Sequence, residues 1–419
     1  MSKKKKYILI TVLLLVVTNI TTFFASGFLQ VSVPIFGGKV AIGRNEYEKY
    51  QEVESFSKKF GGINQIFDFA KLFSVRDSLY ENYYSKLDED KMVEGAVKGM
   101  TSALGDPYTT YMTKDEFSSF TGSLKGTYAG VGIVLATSGD NVTVDSTLKD
   151  SPAKNAGILK NDVIQKINGK AIKASDYANV ANMIRGKEGS KVTLTMYREG
   201  KGNFDVTLTR KNLVLESVTS EVVDGNIGYM QISSFDENTG DLFNKAIKDL
   251  KSKNVKGIIV DLRENGGGYL DTSVESVSNF IPKGKLVVYT VDKNKKKESH
   301  YSKGGNAIGM PLVLLTDGDT ASAAEIFTGA IRDYKLGTVI GDKTFGKGIV
   351  QETLQYNDGS ALKVTVSKWY TPNGNNCQHN GFNPDIKVEY PKNLQGKAYD
   401  RNSDPQYAKA LEVIKQKIK

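Results

Sequence analysis

Three short stretches carry residue types that could do chemistry together. In "DTASAAEI", Ser322 sits among small residues where the apolar run 311–315 gives way to a helical pattern. A serine at a helix N-terminus lies beside backbone amides with no intrahelical partner, and those amides can stabilise a developing oxyanion. Standing alone, the position is explained as simply by a helix cap or by close packing. A nucleophilic serine also needs a base, and His300 and His379 are the only two histidines in the chain. Neither the lysine-rich surroundings of His300 nor "NGNNCQHNGFNP" around His379 resembles a base site. Lysine can serve where burial disfavours the ammonium and lowers its pKa towards neutrality. Lys347, between two glycines in "TFGKGIVQ", has such surroundings. The third stretch, "DLRENGGG", ends an apolar run with Gly266, Gly267 and Gly268, whose backbone N–H groups can come close to a substrate carbonyl. Each of the three follows a strand-like run in the same part of the chain.

Lys347 invites a different chemistry as well. Gly341, Gly346 and Lys347 have the G-x-x-x-x-G-K spacing of a phosphate-binding loop. Such a loop needs Ser or Thr after the lysine to hold magnesium, and a helix whose amides face the phosphates. Gly348 takes the hydroxyl position and "IVQETLQY" alternates like a strand, so a proton acceptor fits better than a phosphate ligand. Cys377 is the only cysteine, which excludes an intrachain disulfide and a Cys-rich metal site. Two histidines cannot build a His-rich zinc site, and no metal or cofactor is expected. The formal charge of +9 comes from 56 basic and 47 acidic side chains; without Lys3, Lys4, Lys5 and Lys6 the balance is 52 − 47 = +5. That mildly basic surface has no arginine-rich stripe, so nucleic acid is not expected as a partner.

The surrounding pattern divides the chain. After four lysines, residues 7–29 carry no charge, about the length needed to span a bilayer. The lysines favour a cytoplasmic N-terminus and place the remainder outside the cytoplasm. A cleaved signal peptide, cut near Ala25, Ser26 and Gly27, leads to the same side of the membrane; the long apolar run favours an uncleaved anchor. Residues 30–120 read as a helical region, with Leu72, Phe73, Arg76 and Tyr80, then Met92, Ala96, Met100 and Leu104, at helical spacing and Asp88 as an N-cap. Residues 121–212 are β-rich, with short alternating runs divided by Gly, Asp and Asn. From 213 to 392, continuous apolar strands alternate with helices, implying a sheet covered on its faces. Residues 393–419 end in a helix with Ala408, Leu411, Ile414 and Ile418 on one side.

From about residue 72 to 385 the chain resembles the carboxy-terminal processing peptidases, or tail-specific proteases. "VEGAVKGMTSALGDPYTTYMTKDEF" resembles that family's N-terminal motif, and "YAGVGI" with "SPAKNAGILKNDVIQKINGK" its PDZ module. "DLRENGGGYL", "TDGDTASAAEI", "TFGKGIVQ" and "WYTPNG…GFNPD" resemble its peptidase motifs. The resemblance implies a multidomain α+β protein: helical region, PDZ domain, α/β (ClpP/crotonase-like) serine peptidase core and C-terminal helix. It implies Ser322 as nucleophile, Lys347 as general base and Gln351 orienting the lysine, with amides of Gly267 and Ala323 forming the oxyanion hole. Where the family usually has proline, this chain has Gly266. Fully extended, residues 347–351 would hold Lys347 and Gln351 ~13 Å apart, so a turn is expected at Gly348. Val131, Gly132 and Ile133 are the implied amide donors to a substrate's terminal carboxylate. Arg185 resembles the family's arginine coupling that docking to the active site. The implied partners are protein or peptide substrates with accessible C-termini, and a homodimer is possible as in some relatives. A catalytically silent, membrane-tethered PDZ scaffold is the alternative class, but it need not keep Ser, Lys and Gln together.

Overall fold

The computed structural model describes residues 30–35, 38–43 and 70–418, apart from 149, 174–175, 215, 392–393 and 395–398. The anchor expected at 1–29 lies outside the described residues; among those described, no helix is long and apolar enough to cross a membrane. The chain divides into two compact units, 1–92 and 93–419. In the first, β1 (Gln30–Ile35) and β2 (Gly38–Gly43) form an antiparallel hairpin, and α1 (Ala70–Asn82) follows. A hairpin stands where the sequence suggested helix. Its cause is the period-2 alternation of Val31, Val33 and Ile35 against Val40 and Ile42, which fits a strand. Asp88 accepts from the Lys91 N–H at the start of α2 (Glu89–Ser102), the cap expected of it.

In the second unit, β3 (Thr110–Met112) precedes α3 (Lys114–Leu124), whose capping box joins Thr113 and Glu116 reciprocally. The helix runs beyond residue 120, so the β-rich module starts with β4 (Thr127–Gly130). That module continues with β5 (Ile133–Ser138), β6 (Asn141–Thr147), α4 (Pro152–Asn155), β7 (Val163–Ile167), β8 (Lys170–Ala171), α5 (Tyr177–Ile184), β9 (Lys191–Arg198) and β10 (Gly202–Thr209). Strand order β10-β9-β7-β6-β5 leaves β5 at an edge, and Val142, Val144, Ile164, Val192, Leu194 and Met196 fill the core. The chain leaves through β11 (Lys211–Val214), which pairs antiparallel with β4.

The remaining elements are β12 (Val218–Val223), β13 (Ile227–Ile232), α6 (Thr239–Ser252), β14 (Gly257–Asp261), α7 (Leu270–Val277), β15 (Leu286–Asp292), β16 (Lys297–Tyr301), β17 (Leu312–Thr316), α8 (Ala323–Asp333), β18 (Thr338–Gly341), β19 (Ile349–Gln355), β20 (Ala361–Tyr370), β21 (Ile386–Lys387) and α9 (Pro405–Lys417). A sheet of order β12-β13-β14-β17-β18-β21 is parallel from β13 onward. Both of its faces are covered, which is why β14 and β17 are apolar without alternation. Ile258, Val260 and Leu314 join Phe243 and Phe327 in one core; Ile259, Val313 and Leu315 join Tyr407, Ala410 and Ile414 in another. The buried stripe of α9 is therefore Tyr407, Ala410, Val413 and Ile414, with Leu411 and Ile418 packed beside it and Ala408 exposed. Helical phase decides this: Tyr407, Ala410, Leu411, Ile414 and Ile418 recur at three- and four-residue spacing and share one face, and Ala408 falls outside it. A second sheet, β16-β15-β20-β19, carries β3 on the end of β20 and supplies the other wall of the cleft described next.

Candidate active site

A cleft of about 830 Å³ opens between the two sheets, and Gly267, Ser322, Ala323, Lys347 and Gln351 all line it. β17 ends at Thr316, and a tight turn follows. Asp317 takes the Thr320 N–H and hydroxyl, while Thr320 Oγ1 also reaches the Leu262 carbonyl. Ser322 comes next with φ 55° and ψ −116°, outside the regions open to an unstrained side-chain-bearing residue. Its position sets the side chain at the first turn of α8. The N–H of Ala323, at the first helical position, has no acceptor within the helix.

Gly267 lies directly against this turn. A Cβ there would meet Ser322 Cβ at 2.7 Å, the Ala321 carbonyl at 2.8 Å and the Ala323 nitrogen at 2.9 Å, and φ is +98°. Its own N–H donates to Asn265 Oδ1 at 2.9 Å, and its carbonyl accepts from the Phe235 N–H. The N–H expected to serve as an oxyanion donor is thus already committed within the loop, and what Gly267 allows is the close approach of this loop to the serine turn. Gly266 is different: a Cβ there would meet open space.

Glu325 was not singled out in the sequence, yet it joins the serine to the lysine. Fully buried, it takes the Ser322 N–H (2.9 Å) and the Lys347 N–H (2.8 Å) on Oε2. On Oε1 it takes the Gly346 N–H (2.8 Å) and the Thr344 hydroxyl (2.6 Å). The spacing Ser-x-x-Glu is a capping-box signature and was the available signal; the further reach to the loop 344–347 is tertiary. The Trp369 indole N–H holds the Lys347 carbonyl at 2.9 Å, so the lysine backbone is pinned from both sides. Burial pushes the Lys347 pKa down; the Lys363 ammonium adds to this, and Asp106 and Glu325 oppose it. Burial also pushes the Cys377 thiol up, helped by Glu325.

Positive φ falls at Gly346 (+95°), one residue before the lysine, and not at Gly348. Gly348 is bare for another reason, since a Cβ would press on Asn376 and the Gln378 nitrogen. A bulge between Val350 and Gln351 shifts the register of β19 on β20. Gln351 Nε2 is buried without a hydrogen-bond partner among the described residues, leaving its amide a bond to give inside the cleft. β19 is a strand, not a helix, so the glycine-lysine stretch lacks the helix N-terminus of a phosphate loop. His300 lines the cleft too, with its ring nitrogens 3.6 Å from Asp271 and 3.9 Å from Glu298. His379 is exposed beside Gln378.

In the β-rich module, the Val131 carbonyl accepts from Ala153 and the Gly132 carbonyl from Leu148. Trans peptide planes then turn the N–H groups of Gly132 and Ile133 the opposite way. Val131 itself is buried in the module core. Gly132 has φ +78°, and a Cβ there would meet Ser151 Cβ at 2.2 Å. The Arg185 guanidinium lies 5.1 Å from the centre of the Tyr128 ring, at the head of the same loop. It therefore stands near the module's own loop, with no contact to the cleft shown among the described residues.

An α/β core with a strained serine and a half-buried lysine in one cleft, joined to a β module with an open edge, defines a serine-type peptidase carrying a PDZ domain. Comparison with known proteins agrees. Residues 226–388 match the peptidase family S41, 129–208 the PDZ domain, and 31–116 the activating protease CtpB N-terminal domain. The chain is 39% identical over 323 residues to the carboxy-terminal processing protease CtpA of Bacillus subtilis, covering 77% of this chain and 69% of that one. It is 38% identical to a Staphylococcus aureus protein named probable CtpA-like serine protease, over 80% of this chain and 68% of that one. A candidate S41 protease from Bacteroides fragilis shares the fold at 18% identity, with a TM-score of 0.56 over 80% of this chain and 91% of its own. The chain belongs to the carboxy-terminal processing protease family.

Proposed function

We propose that this carboxy-terminal processing protease works through Ser322 and Lys347 on proteins held by their C-terminal tails. The observation that carries this reading is the single buried Glu325 carboxylate binding the backbone N–H of both residues, which fixes nucleophile and base in one frame. Neutral Lys347 Nζ takes the Ser322 hydroxyl proton as Oγ bonds to the scissile carbonyl carbon. The carbonyl oxygen becomes an anion facing the Ala323 N–H. The lysine ammonium returns the proton to the leaving nitrogen as the C–N bond breaks, and water then hydrolyses the acyl-serine ester. The lowered Lys347 pKa supports this role, since only the neutral amine can accept the proton. Gln351, with its spare amide in the cleft, orients the amine.

In the PDZ domain the substrate tail adds to the edge strand β5, with its carboxylate on the N–H groups of Gly132 and Ile133 and Arg185 nearby. The uncharged run 7–29 behind four lysines supports a membrane anchor with the catalytic part outside the cytoplasm. The test is cleavage by the full chain of an unfolded protein ending in apolar residues, beside Ser322→Ala, Lys347→Ala and His300→Ala. Loss in the first two and retention in the third is expected. Loss in the third with retention in Lys347→Ala would turn the assignment to a Ser-His pair, since His300 shares the cleft.

A further inference from the structure

The segment before the PDZ domain reaches the active site. β3 pairs with the start of β20, Thr110 against Lys363, and this carries the turn 106–109 to the cleft wall. Asp106 builds that turn: its carboxylate takes the Tyr108 N–H at 3.0 Å and the Thr109 hydroxyl at 2.7 Å. Buried Thr109 Oγ1 accepts in turn from the Thr365 N–H at 3.1 Å, and Thr365 is the cross-strand partner of Gln351. The product of this arrangement is a ring placed on the base: Lys347 Nζ lies 4.8 Å from the centre of the Tyr108 ring. The backbone of Lys347 is fixed by Glu325 and Trp369, but its four-carbon stem is free to rotate unless something beyond the backbone confines it.

We propose that Tyr108 is a positioning residue of this protease, its ring face confining the Lys347 amine. The inference rests on the Ser322–Lys347 reading. A ring face attracts an ammonium and excludes water from one side of it. The lysine must cycle between amine and ammonium during each turnover, and a ring face holds the ammonium without a hydrogen-bond acceptor that would have to be broken. The phenol is not needed as an acid here, since burial raises the Tyr108 pKa, with Asp106 and Glu325 adding to it. The ring is the working part.

The experiment compares Tyr108→Phe, Tyr108→Leu and Tyr108→Met with the parent full chain, reading kcat and KM for a fluorogenic peptide with an apolar C-terminus across pH. Tyr108→Phe keeps the face and retains kcat within about threefold, with the parental pH profile. Tyr108→Leu fills similar space without a face, and kcat falls about 10–100-fold with little change in KM, as for a misplaced catalytic group. Its acid limb moves to lower pH, because an ammonium that loses the ring face loses its proton more readily. Tyr108→Met follows the same expectation with a more adaptable chain, should the leucine variant not fold. A leucine or methionine variant with parental kcat and pH profile overturns the proposal. Ser322→Ala and Lys347→Ala run alongside: activity in either defeats the underlying assignment. Inactivity in both with a parental Tyr108→Leu defeats this inference alone.

Discussion

Gly267→Ala concentrates the geometry of the site into one methyl group. The new Cβ would stand 2.7 Å from Ser322 Cβ, where ordinary contact begins at 3.4 Å, so the serine or the loop must move by 3.4 − 2.7 = 0.7 Å. The Ala321 carbonyl at 2.8 Å and the Ala323 nitrogen at 2.9 Å close the other directions, so the movement cannot be absorbed by a flexible side chain. At φ +98° the alanine also carries backbone strain of about 1–3 kcal/mol. Misplacing a reacting group by about 1 Å costs on the order of 10²-fold in rate, so kcat/KM on a cleavable peptide should fall by about 10²-fold. Thermal unfolding should show a loss of about 2–6 kcal/mol from backbone strain and overpacking together. Gly266→Ala is the control, because its Cβ meets nothing within 4 Å and its φ is not in the left-handed region. It should stay within roughly ±0.5 kcal/mol in stability, as a surface substitution does. Gly267→Ala with the parental kcat/KM would show that the serine is not held where the loop places it, and the reasoning would fail.

Lys363→Met removes the cation that adds to burial in lowering the Lys347 pKa. The pKa then rises, the amine is neutral only at higher pH, and the acid limb of kcat/KM moves upward; an unmoved limb would disconnect Lys347 from the rate. Glu325→Gln leaves two of four buried donors facing an amide NH₂, at about 1–3 kcal/mol each, so unfolding experiments should show a loss of roughly 2–6 kcal/mol together with loss of cleavage. Arg263→Met strips the guanidinium from Asp261 and Asp404, both buried, and parts β14 from the cap of α9. Chemical denaturation should register about 3–5 kcal/mol, and a loss under about 1 kcal/mol would mean that this pair does not anchor the C-terminal helix.

What the sequence made legible is what local pattern controls. Strand β14 and strand β17 could be read because continuous apolar runs ending in glycine or aspartate mean burial on two faces. Ser322 could be singled out by its place where an apolar run turns into a helix, and Lys347 because the base had so few histidines to be chosen from. Other features depend on partners distant in the chain. The turn at Gly346 and the bulge before Gln351 follow from how β19 lies on β20, and no four-residue spacing encodes that. The commitment of the Gly267 N–H to Asn265 is a side-chain turn two residues long, but the glycine cluster drew attention to the backbone and away from the asparagine. Tyr108 lies 239 positions before Lys347, and only the pairing of β3 with β20 makes them neighbours.

Strain at Ser322 and burial of Lys347 are each costly alone, by about 1–3 kcal/mol for such a backbone and by the desolvation of an ammonium. The fold meets both costs at Glu325. Its carboxylate takes four donors in a site closed to water, two on each oxygen, where hydrogen bonds to a charged group are strongest. Two of those donors are the Ser322 and Lys347 N–H groups, so relaxing the serine backbone to an ordinary φ would also release the lysine loop. Buried Thr344 ties the same carboxylate to the Phe382 N–H, and through it to the segment 371–382 that covers the loop. The nucleophile's strained backbone and the base's half-buried position are therefore not independent properties that mutation could improve separately. A variant that eases either should loosen both.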